Sequence, residues 1–315
     1  MHIPLEARRA ARPTYAPRLL PRRSTVARYL FLLPATLFML IFFVYPVIDN
    51  LLISVQDTGV TALIHGNGPF IGLANYTAVL YSSAFQTAAR TTAIFTAVSL
   101  AVQFALGLGL ALYFNRSFPL SRTIRALLLL PNMLPFVVTG TAFRWLFTDP
   151  NGFVNYVGGD LLHVVPPHTA WLADSQLALP IAILANIWIG VPFNMVLLYG
   201  GLQGIPQEIY EASAIDGAGA WMRLRRITLP LLRPVISVLL ILGFIATIKV
   251  FGLVYLLTGG GPAGATQTFL VLAYNLSFQN FQFGQGAAVG NIVAVIALIG
   301  ALAYLAVLRR EESLS

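Results

Sequence analysis

Six runs of mostly apolar residues set the terms for this chain: about 29 to 55, 86 to 114, 123 to 147, 179 to 202, 230 to 257 and 287 to 308. Each reaches or exceeds the roughly 20 residues a helix needs to cross the hydrocarbon core of a bilayer. In that medium every backbone polar group needs an internal partner, and the lengths suit helices. At 57% hydrophobic and 10% charged, the 315 residues are too apolar for a soluble globular domain. The expected fold class is therefore an all-α integral membrane protein with six transmembrane helices.

The charges say which side is which. Seven arginines lie in residues 1 to 28, three in 115 to 125, three in 223 to 226 and two at 309 to 310, whereas 57 to 85, 149 to 178 and 258 to 286 hold no Lys or Arg. This alternation is the positive-inside pattern of six spans with both termini in the cytoplasm. The net charge of +8 is then topological and points to no nucleic-acid partner. Residues 1 to 28 read as a mobile basic arm near anionic lipid headgroups, 29 to 308 as the membrane domain and 309 to 315 as a cytoplasmic tail. Arg22 and Arg23 precede an apolar run too long for a signal-peptide core and followed by no small-residue cleavage site, so the run is expected to be retained. With no cysteine, disulfides and thiol chemistry are excluded.

Residues 205 to 230, IPQEIYEASAIDGAGAWMRLRRITLP, form the one long polar stretch on the arginine-bearing side. Pro206 suits a helix start, and Glu208 and Glu211 put negative charge where free N–H groups favour it. A short helix over about 206 to 216 is expected. Gly217 and Gly219 then allow a sharp turn and the close approach of another backbone. Beyond it Trp221, Leu224, Thr228 and Leu231 recur at helical spacing, with Arg223 and Arg226 opposite. The stretch reads as a helix–turn–helix knob; an amphipathic helix lying on the membrane surface would show a similar pattern.

Glu211, Ala212, Gly217, Ile227, Leu229 and Pro230, at this spacing, resemble the EAA loop of ABC importer membrane subunits. Ser213 stands where that family often has a second alanine, and Leu224 where it often has phenylalanine. The resemblance implies a type I ABC importer permease fold and a coupling helix that docks on a separate ATPase. It assigns that docking to Glu208, Glu211, Ala212, Ser213, Asp216, Gly217, Ala218, Arg226 and Pro230. Thr258, Gly260, Gly261, Pro262 and Thr266 in TGGGPAGATQT resemble the outer signature of maltose- and glycerol-phosphate-type permeases, which implies a sugar-like solute and the MalF-like half of a pair. The glycines of this outer loop are expected to make a flexible, tight backbone.

Within the spans, Pro131 and Pro135 should kink the third. Gly107 and Gly109 in the second, and Gly286 and Gly290 in the sixth, should allow close helix contact. In the fourth, Asn186, Ile189, Gly190 and Phe193 share one face, which could offer a hydrogen-bonding group and a flat ring to a small polar molecule. The same face would also suit ordinary packing, with Asn186 bonded to a neighbouring helix. The block resembles the sugar-lining helix of maltose-type permeases, and spacing from TGGGP adds Gly243 and Thr247 as sugar-facing positions. Lys249 is the only lysine and lies within a span, where a charge faces a cavity or a partner; Asp49 is the candidate partner. Related permeases often have an acid where this chain has Gly252.

No Walker A loop is present, since Lys249 is followed by Val250 and preceded by no glycine-rich turn. No nucleophile, base and orienting acid converge either. The chain is thus expected to be non-catalytic and to bind no cofactor, with ATP and Mg held by a partner. His163 and His168, in the outer loop 149 to 178, lack the carboxylates of a metal site. That loop reads as too polar to bury and as a contact for an external partner. The resemblance implies a second permease subunit, two ATPase subunits and an external solute-binding protein. An importer of amino acids, peptides or phosphate is the alternative, and an ion-driven carrier another, although Asp49 is the lone acid within the spans.

Overall fold

The computed structural model describes residues 23–60, 62, 66, 68–116 and 118–312. The basic arm as far as residue 22, and residues 313–315 of the tail, lie outside the described residues. The chain divides into two units, 1–49 and 50–315. The first holds α1 (Arg23–Met39), which opens inside the segment expected as a mobile arm, and a π-turn at Leu40–Val44 leading into α2 (Tyr45–Ser54). From Tyr29 to Ile48 its large apolar side chains are exposed, Phe31 at 87% and Phe42 at 62%, a surface suited to lipid.

The second unit continues α2 through α3 (Ala74–Leu80), α4 (Ser83–Phe114), α5 (Ser121–Leu128), α6 (Leu130–Met133) and α7 (Phe136–Leu146). Next come α8 (Ala178–Gln203), α9 (Gln207–Ile215), α10 (Ala220–Arg223), α11 (Leu229–Leu231) and α12 (Arg233–Ile248). Last are α13 (Gly252–Thr258), α14 (Phe269–Tyr274) and α15 (Phe283–Glu312). Among the described residues, Tyr29–Ser54, Ser83–Phe114, Ala178–Gln203 and Phe283–Ala303 are long and apolar enough to cross a membrane. Two bent pairs raise the number to as many as six.

Those pairs correct the picture of straight spans. The third expected span breaks between Met133 and Phe136 by 93°, far more than a kink. Pro135 forces the residue before it out of helical geometry, and Leu134 is extended at φ −76°, ψ 137°. The fifth does not run straight from Pro230: α10–α11 and α12 meet at 70°, with Leu232 as the joint. Pro234, at the second position of α12, needs no N–H donor there.

Helices surrounded by lipid gain little from apolar burial against each other; close packing and small residues hold them. Gly107 of α4 allows a close approach to α8, since a Cβ there would come within 2.6 Å of Asn194 Cβ. Gly109 has nothing within 4 Å and contributes no such contact. Around this pair Phe95, Ile181, Ala185, Ile189, Leu253 and Val254 form one buried cluster, and Ala111, Leu198, Leu202, Leu232 and Leu239 another. On α15 the expected pair also divides: Gly286 packs against Ser277 and Ala273, while Gly290 meets open space.

Two loops are held by buried polar side chains. In the loop 149–178 Asn155 is buried, accepting from Trp171 Nε1 at 2.8 Å and donating to the Thr169 carbonyl at 3.0 Å, so the expectation of a wholly unburied loop fails there. In TGGGPAGATQT the buried Thr266 donates to the Gly261 carbonyl at 2.7 Å, and its hydroxyl lies 2.6 Å from that of Thr258. The glycines permit the turn, with Gly259 and Gly260 at φ 66° and 92°, but the threonines tie it down. The segment is tight, as its composition predicts.

Candidate functional site

A cavity of about 620 Å³ opens between α8 and the junction of α12 with α13. Asn186, Ile189, Gly190, Phe193, Gly243, Thr247 and Lys249 all line it. The one-face spacing on α8 and the positions counted back from TGGGP thus meet at one wall. Asn186 is 8% exposed, and its Nδ2 has no hydrogen-bond partner among the described residues. A buried amide donor left unpaired is costly, about 1–3 kcal/mol; the nitrogen is itself buried, so a group entering the cavity can accept from it only once the side chain turns toward the opening. The helix-packing alternative had Asn186 bonding across to a neighbour; instead Gln103 Nε2 of α4 donates to the Asn186 backbone carbonyl at 2.9 Å. Phe193 is 39% exposed, so part of its ring remains available for contact.

Gly190 is required by that same neighbour, because a Cβ there would overlap the Gln103 side-chain amide. Asn132 Nδ2 of α6 donates to the Ile189 carbonyl at 3.3 Å. Gln103, Asn132 and Asn194 line the cavity as well, and sequence reasoning missed all three. The available signal was a lone amide within an otherwise apolar run.

Lys249 sits where the fifth span breaks. α12 ends at Ile248, α13 begins at Gly252, and the residues between are not helical. Backbone freed by the break finds a side-chain partner: Thr268 Oγ1 donates to the Val250 carbonyl at 3.4 Å. Interrupted helices of this kind are tolerated where they border a cavity. A cation at the end of α12 also opposes that helix's negative dipole end. Asp49 is the last residue of the first unit, so its pairing with Lys249 would concern both units and stays a sequence expectation.

The knob lies beyond the other end of α8. Pro206 caps α9 and Glu208 falls in its first turn. Gly217, at φ 75°, is the left-handed residue of a Schellman motif. Ala218 N donates to the Ser213 carbonyl at 2.9 Å, and Gly217 N to that of Ala214 at 3.1 Å. Ser213 is buried and donates to the Tyr210 carbonyl at 2.7 Å. The positions of the EAA-like pattern thus have a local reason: serine and alanine close the turn that glycine begins. Among the described residues nothing comes within 4 Å of a Cβ at Gly217 or Gly219, so none of them makes the expected close backbone approach.

Beyond the turn the expected two-faced helix fails. A π-turn at Leu224–Thr228 replaces α-helix, and the wider turn shifts the register. Trp221 is 72% exposed while Thr228 is buried. Glu208, Glu211, Ala212, Asp216, Gly217 and Arg226 face outward, Ala218 and Pro230 are half-buried, and Ile215 adds an exposed apolar side chain at 87%. Arg223 is half-buried, its Nε without a partner among the described residues. The knob therefore leaves acidic, basic and apolar side chains uncovered.

The exposed histidines His163 and His168 lie in the loop 149–178. Among the described residues no group of three or more His, Asp or Glu side chains could hold a metal ion.

Comparison with known proteins sets this geometry in context. The family described as "Binding-protein-dependent transport system inner membrane component" matches residues 103–312. The trehalose/maltose transport system permease protein MalF of Thermococcus litoralis is 36% identical over 285 residues, covering 90% of this chain and 94% of that protein. The sulfoquinovosyl glycerol transport system permease protein SmoG of Agrobacterium fabrum is 31% identical, covering 90% of each. A crystal structure of a bacterial ABC transporter involved in import of the acidic polysaccharide alginate matches with a TM-score of 0.76 at 25% identity, over 91% of this chain and 96% of that one.

Proposed function

The chain belongs to the binding-protein-dependent transport system inner membrane components, the permease subunits of ABC importers, and from that premise we propose that it forms the pathway for a sugar or sugar derivative. Its relatives named for trehalose/maltose and sulfoquinovosyl glycerol support the solute class. The observation that carries the reading is the buried, unpaired Asn186 amide at the wall of a cavity of about 620 Å³, large enough for a small saccharide. The cavity's other polar groups are the amides of Gln103, Asn132 and Asn194, the Thr247 hydroxyl and the Lys249 ammonium, which suit a polyhydroxylated ligand, and Phe193 offers a ring against which a sugar face can pack.

The chain supplies no phosphate-binding loop, so the driving chemistry belongs to partners: two ATPase subunits holding ATP and Mg, a second permease subunit and an external solute-binding protein. With six spans and both termini cytoplasmic, the 205–230 knob meets the ATPases. Glu208, Glu211, Ala212, Asp216, Gly217 and Arg226 make the docking surface, with Ser213, Ala218 and Pro230 shaping it. Closure of the ATPase pair pushes the knob, and the attached helices tilt so that the cavity faces outward and inward by turns.

The test is reconstitution in proteoliposomes with the partner permease, the ATPases and the binding protein. Uptake of labelled saccharide should require hydrolysable ATP on the ATPase side. Uptake persisting without the ATPases, or abolished by an ionophore instead, would overturn the reading.

A further inference from the structure

Among the described residues Lys249 is the only charged one lining the cavity of about 620 Å³; the rest of the lining is amide, hydroxyl or apolar, with no Asp or Glu. Its side chain is exposed, and it stands at the break between α12 and α13, where the chain leaves helical geometry at the cavity wall. At the same wall Gly252 leaves room: nothing lies within 4 Å of the position a Cβ would take. Asn186 adds an unpaired N–H donor. The polar groups not already engaged at this wall therefore include an ammonium with three N–H donors and an amide donor, beside open space and with no carboxylate among them. No carboxylate lines this wall, and a cation that finds none elsewhere favours a ligand that brings the opposite charge. A charge-assisted hydrogen bond is also about twice as strong as a neutral one.

We propose that Lys249 is a specificity-determining residue that selects saccharides carrying an anionic substituent, a carboxylate, sulfonate or phosphate, over their neutral counterparts. The inference rests on the cavity being the solute site and goes further in naming the charge of the solute. The ammonium takes the anionic group in the space beside Gly252, while Asn186 and the amides around it address the hydroxyls.

The experiment uses the complete transporter in nanodiscs without the external binding protein, so that the receptor's own selectivity does not enter. Binding is measured by calorimetry for matched pairs: glucose and glucuronate, galactose and galacturonate, maltose and maltobionate. For at least one pair the acid should bind about tenfold or more tightly than the neutral sugar, a difference of roughly 1.4 kcal/mol. Lys249→Gln should bring the acid down to the affinity of its neutral partner, and Lys249→Arg should retain the preference. Raising the salt concentration should narrow the gap in the wild type and not in Lys249→Gln. Equal binding of every pair, tighter binding of the neutral sugars, no acid bound at all, or a preference unchanged in Lys249→Gln would each overturn the proposal. Binding-protein-stimulated ATP hydrolysis by the same wild-type complex separates the two levels. If stimulation is present and the acid preference absent, only this inference fails; if stimulation is absent, the importer reading fails with it.

Discussion

The Tyr210 hydroxyl lies 3.2 Å from the Thr228 hydroxyl, joining α9 of the knob to the π-turn on its returning arm. The two residues are 18 apart in sequence, and between them the chain makes the Gly217 turn. Their contact makes the knob a closed unit instead of two helices on a hinge. Tyr210→Phe should loosen that unit by about 0.5–1.5 kcal/mol, the usual net worth of a hydrogen bond. The expected result is more ATP hydrolysed per sugar transported, read by measuring both in the same proteoliposomes. An unchanged ratio would show that the closure is not used in coupling.

Gly217 adopts φ 75°, a region that costs a residue with a Cβ roughly 1–2 kcal/mol. Among the described residues nothing occupies the space above it. Substitution should therefore act in two stages. Gly217→Asn, which tolerates left-handed geometry, should retain most substrate-stimulated ATP hydrolysis, whereas Gly217→Trp should leave the subunit in the membrane and abolish the stimulation. Stimulation unaffected by tryptophan would rule out this surface as the docking site.

Gly190 and Gln103 are complementary in volume across α8 and α4. Gly190→Ala forces the amide aside and should destabilise the subunit by about 1–3 kcal/mol. Gln103→Ala in the same chain should recover part of that loss, because it vacates the space. A double-mutant cycle on thermal unfolding of the detergent-solubilised complex measures the coupling; additive effects would mean that the two side chains do not compete.

Asn186→Leu removes the unpaired donor while keeping the side-chain volume similar. Assembly with the partner subunits, followed by co-purification, should survive, and saccharide uptake should fall about tenfold or more. Normal uptake would mean that the α8 face is not the solute-facing one.

How far the sequence could be read depended on the kind of signal. Asn186, Ile189, Gly190 and Phe193 share a helical period, and a period survives whatever packs against it, so their common wall was legible. Gln103 and Asn132 were not, because a single amide in an apolar run does not say which neighbour it will meet. The break at 249–251 was also hidden: Lys-Val-Phe contains no proline, and the interruption is supported from elsewhere by Thr268. Pro135 announced a disturbance but not a 93° break, since its size depends on how the residues on either side pack. The π-turn at Leu224–Thr228 defeated a helical-wheel reading of Trp221 and Leu231, because the wheel assumes a constant number of residues per turn. On α9, by contrast, proline, acid, alanine and glycine each act within a few residues of themselves, and the helix and its turn followed directly.

Leu232 is 1% exposed and packs with Leu198, Leu202 and Leu239 at the 70° bend between the knob's returning arm and α12. A pivot seated in close-packed side chains has little slack, so force arriving from one side becomes angular motion on the other. The arm it turns is the 16-residue Arg233–Ile248 helix, about 24 Å long, whose far end sweeps about 4 Å for each 10° of rotation. Thr247 rides near that end and Gly243 one turn earlier, so a modest displacement on the motor side would be geared up into a shift comparable to the width of a sugar hydroxyl contact.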